Sequence, residues 1–135
     1  MAVTIIDRLI KAAVRATGDF VLCDGLIAIT ERKNTGIAFS LFKDSPAATG
    51  VVSAVIIALI VFYALKAKRS PMLEQIALWL MIGGGTGNLC DRLYYGFVTD
   101  YIETLFISFA VFNFADICVC VGAVLFFISA LIHKG

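Results

Sequence analysis

Ser45-Pro46-Ala47-Ala48-Thr49-Gly50-Val51-Val52-Ser53-Ala54-Val55-Ile56-Ile57-Ala58-Leu59-Ile60-Val61-Phe62-Tyr63-Ala64-Leu65 is an unbroken run of 21 uncharged residues. A bilayer-spanning helix needs about 20 mostly apolar residues, so this run is predicted to be a transmembrane helix. Lys66, Lys68 and Arg69 close it, and Pro71 opens the next helix near a first turn, where its missing N–H costs nothing. The short loop carrying these three cations is placed on the cytoplasmic side by the positive-inside rule.

Two further runs follow: Gln75 to Cys90, bounded by Glu74 and Asp91, and Ile117 to Ile132, bounded by Asp116 and by His133 and Lys134. Each has 16 residues. At 1.5 Å per residue that covers about 24 Å, short of a hydrocarbon core of roughly 30 Å, so each helix must carry a bounding residue into or near the core. With the Lys-rich loop and the Lys134 end both inside, the embedded end is the Asp end in both helices. Asn88, Asp91, Asn113 and Asp116 therefore gather at the outer membrane edge, joined by an outer connection, Leu93 to Ala110, that contains Asp100 and Glu103.

Composition supports lipid as the main solvent. Of 135 residues, 61% are hydrophobic and 16% charged, with mean hydropathy +0.97; soluble domains average about 45–50% and about 25%. This excludes a disordered, coiled-coil or collagen-like chain. Eleven Lys and Arg against 10 Asp and Glu leave a net charge of +1, with no basic excess to hold nucleic acid. Cys90, Cys118 and Cys120 lie in apolar runs and Cys23 beside Asp24-Gly25. Cys118 and Cys120 point to different helix faces and the chain has a single His, so the cysteines read as small apolar fillers rather than a zinc site or a disulfide framework.

The segment Val3 to Val14 is interrupted by Asp7, Arg8 and Lys11. It reads neither as a cleavable signal nor as a full span. Asp24-Gly25 and Asn34-Thr35-Gly36 are turn signals flanking the strand-like runs Leu26 to Thr30 and Ile37 to Phe42, which predict a β-hairpin on the outer side. The expected architecture is one all-α membrane domain: helices at about 3–15, 46–66, 72–92 and 110–132, a β-element at about 19–43 and an outer loop at about 93–109.

Asn88 and Asp91 are three residues apart, as are Asn113 and Asp116, so each pair shares a helix face. Ionisable groups at membrane depth are costly and point to function. Arg92 is the adjacent cation for Asp91, and an ordinary first-turn carboxylate is the plain reading of Asp116. Two carboxylates in a partly dry site cannot both ionise comfortably. One can then activate a water while the other protonates, the arrangement of an aspartic protease. No Ser–His pair can form with His133 at the opposite face, and no phosphate-cradling GxxxxGK motif is present. Gly83 and Gly87 form GxxxG, which suits close helix packing; a smooth surface for a sliding lipid or peptide chain is the other reading.

These motifs together resemble the bacterial signal peptidase II family. Asn34-Thr35-Gly36-Ile37-Ala38-Phe39-Ser40 is similar to its N-x-G-x-x-F-S segment, and Gly84-Gly85-Thr86-Gly87-Asn88-Leu89-Cys90-Asp91-Arg92-Leu93 to G-x-x-G-N-x-x-D-R-L. Gly96-Phe97-Val98-Thr99-Asp100-Tyr101-Ile102 stands in place of G-x-V-x-D-F-I, and Phe112-Asn113-Phe114-Ala115-Asp116 with Gly122 matches F-N-x-A-D and its trailing glycine. Asp7-Arg8-Leu9-Ile10-Lys11 resembles the early D-x-x-x-K. The resemblance implies four transmembrane helices with an extracytoplasmic β-cradle in the bacterial cell membrane. It implies an aspartyl endopeptidase that cuts diacylglyceryl-modified prolipoproteins just before the lipidated cysteine, without metal or other cofactor. Asp100 and Asp116 would be the catalytic dyad, with Asn34, Gly84, Asn88, Asp91, Arg92 and Asn113 in support. Six residues precede Asp7 where the family has an apolar stretch, so about half of that helix is expected to be missing. The competing readings are a small helical carrier whose carboxylates bind protons or cations, and an inactive lipoprotein-binding homologue.

Overall fold

The computed structural model describes residues 2–36 and 45–133. The first helix, α1, spans Ala2–Thr17 and buries Thr4, Asp7, Lys11 and Val14, a stripe at helical spacing. It ends where Gly18 turns into the left-handed region at φ 75° and returns its N–H to the Val14 carbonyl at 3.0 Å. Helix α2, Pro46–Lys66, starts on Ser45, whose hydroxyl accepts from the Ala48 N–H, with Pro46 in the first turn. Helix α3 runs Met72–Tyr95 and stops at Gly96, φ 78°. Helix α4 is Phe114–His133.

The sheet is three-stranded and antiparallel, in the order β1 (Phe20–Cys23), β2 (Ile27–Asn34), β3 (Val98–Thr104). The turn at Asp24-Gly25 joins β1 to β2, with Gly25 at φ 70°. This corrects the expected hairpin: the partner of the Leu26–Thr30 run is the segment before it, and the third strand comes from between α3 and α4. The Ile37–Phe42 run lies outside the described residues. The connection read as a loop at 93–109 thus holds β3, which pairs Arg32 with Asp100 and Asn34 with Val98, while α4 starts at Phe114 rather than near 110.

Glycines set how closely the helices approach. A Cβ on Gly84 would lie 2.4 Å from the Ala115 carbonyl oxygen, and one on Gly122 2.7 Å from that of Ala77. Helices α3 and α4 therefore run antiparallel in backbone contact at two levels. Gly83 and Gly87 face α1, where added carbons would meet Val3 at 2.8 Å and Asp7 at 2.6 Å. The GxxxG pair is a packing surface for α1, and the Thr4 hydroxyl donates to the Gly83 carbonyl across it at 2.9 Å.

Two helices, Pro46–Lys66 and Phe114–Ile132, are long and apolar enough to cross a membrane, each with mean hydropathy 2.5. Only 11% and 22% of these windows is buried inside the molecule. Their apolar side chains, Val55, Leu59, Phe62, Val124 and Phe127 among them, point outward. A core helix of a soluble domain would be mostly buried, so these faces fit a lipid environment.

Candidate functional site

The polar residues singled out in the sequence converge where α1, the C-terminal part of α3 and the start of α4 meet β3. Asn113 stands just before α4, and the cap it builds explains the Asn-x-x-Asp spacing. The Asp116 N–H donates to Asn113 Oδ1 at 2.9 Å and the Asn113 N–H donates to Asp116 Oδ2 at 3.1 Å, a reciprocal capping box. The first-turn reading of Asp116 therefore holds, and the same bonds fix the carboxylate in one place. Its second oxygen, Oδ1, accepts from Asn88 Nδ2 at 2.7 Å.

Asp100 sits in the middle of β3, 3% exposed. Its Oδ2 accepts from Asn34 Nδ2 at 2.9 Å and its Oδ1 from Asn113 Nδ2 at 2.7 Å. Asn113 thus touches both acids, Asp100 through its side-chain amide and Asp116 through its backbone N–H and Oδ1. Burial pushes the Asp100 carboxyl up to about 6, and the nearby Asp116 adds to the rise, against the N–H bonds from Asn34 and Asn113 that favour the carboxylate. Burial likewise pushes the neighbouring Tyr101 hydroxyl up to about 12.

The expected Asp91–Arg92 pair is replaced by another. Successive residues on a helix do not face one another, so Arg92 points away. Asp91 Oδ1 is paired with Arg8, and Oδ2 accepts the Thr99 N–H at 3.1 Å and lies 3.0 Å from Lys11 Nζ. Lys11, fully buried, also lies 2.9 Å from Asp7 Oδ2 and donates to Asn88 Oδ1 at 2.8 Å. Asp7 Oδ1 accepts the Ala115 N–H at 3.2 Å, tying α1 to the start of α4. Asp91 is thus the anchor that joins α1 to α3 and β3. Arg8 and Lys11 were missed as its partners although Asp7 and Lys11, four apart, could be read as one helix face. Arg92 donates to the Gly36 carbonyl at 3.0 Å, and its buried Nε has no hydrogen-bond partner among the described residues.

Gly84 carries no functional group; its backbone contact with Ala115 seats Asp116 one residue further on. Beside Asp100 lies an open cavity of about 300 Å³, lined by Arg32, Lys33, Asn34, Thr35, Gly36 and Val111. Among the described residues no three His, Cys, Asp or Glu side chains group so as to hold a metal ion. All four cysteines are free; Cys118 is buried and Cys120 exposed, on different faces as their spacing requires.

The family model described as signal peptidase (SPase) II matches residues 1–132. The lipoprotein signal peptidase of Lactiplantibacillus plantarum is 37% identical over 97% of this chain and 90% of that protein. The one from Staphylococcus carnosus is 32% identical over 97% and 86%. Two solved structures of a bacterial membrane enzyme, obtained by the in meso method at 2.3 Å and 1.9 Å, match with TM-scores of 0.89 and 0.85. They are 26% and 27% identical to this chain, covering 98% of it and 85% and 89% of theirs. The fold agrees with theirs along nearly the whole chain, and the sequence match extends across every element that builds the site. This chain belongs to the signal peptidase II family, membrane aspartic peptidases that process bacterial lipoproteins.

Proposed function

We propose that the chain is an intramembrane aspartyl endopeptidase in which Asp100 and Asp116 form the catalytic dyad, acting on diacylglyceryl-modified prolipoproteins and cutting just before the lipidated cysteine. The observation that carries this is Asn113: one residue bonded to both carboxylates, beside an open cavity that reaches Asp100. On this reading the pair shares one proton. Burial of Asp100 assigns the proton to it, because the neutral form is the one a dry site favours. Asp116, half-buried and with an N–H donor on each carboxylate oxygen, is the base that takes a proton from the attacking water. Asp100 then protonates the carbonyl oxygen as the tetrahedral intermediate forms, and the proton taken from water passes to the leaving amine.

Asn34, Asn88 and Asn113 hold the carboxylates in register. Asp91 holds α1 and β3 onto α3, Gly84 lets α4 approach, and Arg92 supplies a cation facing both acids. The topology proposed has four membrane segments, the loop with Lys66, Lys68 and Arg69 inside, and the sheet and dyad at the outer face of the cell membrane. The lipid chains of the substrate would lie against the exposed apolar faces of α2 and α4. The test is gel-shift cleavage of a lipidated prolipoprotein: Asp100→Asn and Asp116→Asn are each expected to abolish cleavage while insertion and folding persist. Cleavage at the normal rate by either variant removes that residue from the dyad.

A further inference from the structure

Lys11 is fully buried, and its ammonium can donate hydrogen bonds but accept none. Two of its contacts, Asp7 Oδ2 and Asp91 Oδ2, are ion pairs that a structural role explains. The third, 2.8 Å to Asn88 Oδ1, leads into the site. A carboxamide has one accepting and one donating end. With its oxygen held by Lys11, Asn88 must present Nδ2 to Asp116, as it does at 2.7 Å. Rotated by half a turn, Asn88 would set N–H groups against the ammonium and an oxygen against the carboxylate, exchanging two bonds for two repulsions. The same orientation carries on: Asn88 Oδ1 also accepts from Asn113 Nδ2 at 3.2 Å, and that nitrogen donates to Asp100 Oδ1 at 2.7 Å. The buried cation thus determines that Asn88 presents N–H to Asp116, whereas Asn113 and Asn34 are oriented by the Asp116 and Gly36 N–H groups that their oxygens accept.

We propose that Lys11 is a positioning residue for the acid pair, acting through the Asn88 carboxamide whose orientation it fixes, and not only through its ion pairs with Asp7 and Asp91. This rests on the assignment of Asp100 and Asp116 as the reacting pair. Without a donor at position 11, Asn88 Oδ1 keeps only the 3.2 Å bond from Asn113, and the amide can turn to accept a hydrogen bond from a protonated acid, so the pair gives up its proton less readily. The charged and titratable groups facing this network are Asp7 and Arg8 on α1, Asp91 and Arg92 on α3, Asp100 and Tyr101 on β3, and Asp116 and Cys118 on α4; Arg32 and Lys33 on β2 line the adjacent cavity.

The experiment compares two double variants with the same loss of buried charge: Asp7→Asn with Lys11→Gln, which keeps a donor toward Asn88, and Asp7→Asn with Lys11→Met, which does not. Cleavage of a lipidated prolipoprotein is followed in detergent across pH, with kcat and KM separated. The Met variant is expected to lose about 10-fold or more in kcat relative to the Gln variant at unchanged KM, with the ascending limb of its pH profile moved up by about one unit. Two folded double variants with the same kcat and the same limb overturn the proposal. Asn88→Leu, which keeps the Lys11 ion pairs, supplies a second test should the Met variant not fold. It is expected to show the same upward limb, and a wild-type profile there also overturns the proposal. Asp116→Asn run alongside separates the two claims. Wild-type cleavage by it refutes the dyad, whereas an inactive Asp116→Asn beside indistinguishable double variants refutes only the role of Lys11.

Discussion

Asp100→Asn is expected to gain stability on the wild type as pH rises, while losing cleavage. The carboxyl is 3% exposed and is pushed from 3.8 to about 6 by burial. Between those pH values the folded protein binds a proton that the unfolded chain has released, so stability falls as pH rises through this window and is flat on either side. The rise is about 2 pH units, and at 1.36 kcal/mol per unit the ionised Asp100 costs the fold about 3 kcal/mol above pH 6. The bonds from Asn34 and Asn113 are already within that figure, since they favour the carboxylate. An Asn side chain matches the protonated acid in size and lacks the charge, but its Nδ2 meets one of the two amide N–H groups that Asp100 accepts, at a cost that is the same at every pH. Measured against the wild type, Asp100→Asn should therefore gain about 3 kcal/mol between pH 4 and pH 8. The assay is reversible unfolding in mixed micelles titrated with SDS, followed by the fluorescence of Trp79, the single tryptophan. A stability difference from the wild type that is the same at pH 4 and pH 8 would refute the reasoning.

Lys11→Met leaves Asp7 and Asp91 buried without their shared cation and should cost about 3–5 kcal/mol by the same assay, with part of the loss recovered by adding Asp7→Asn. Gly84→Ala sets a carbon 2.4 Å from the Ala115 carbonyl oxygen, so α4 must move; about 1–3 kcal/mol of stability and about 10-fold or more of cleavage rate should be lost. Gly85→Ala meets only the Ile57 side chain, at 3.1 Å, and should leave the rate near that of the wild type, which makes it the control.

The apolar helices are legible because an uncharged run of 16 to 21 residues bounded by charge has the length of a helix rather than a strand. The short Lys66–Arg69 loop also turns α3 back along α2. Asn113 and Asp116 could be found because three-residue spacing is both a shared helix face and a capping box. The sheet was read less well. Phe20–Cys23 shows no alternation, and β3 pairs with β2 across some 70 residues of chain, a contact that no local pattern encodes. Adjacency in the sequence pairs Asp91 with Arg92, whereas its partners come from α1, which is brought alongside by Gly83 and Gly87. The glycine motif and the cations that use it were each visible, but their connection is tertiary. Asp100 stood out only through the family motif, since nothing in Val98-Thr99-Asp100-Tyr101-Ile102 alone marks a buried acid.

The most direct test of the account is cleavage of a lipidated prolipoprotein by this chain and by its Asp116→Asn variant, reconstituted side by side in liposomes. A gel shift is expected with the wild type, with the new N-terminus at the lipidated cysteine, and none with a variant that is equally inserted and folded. Release of the signal peptide by Asp116→Asn at the wild-type rate would contradict it.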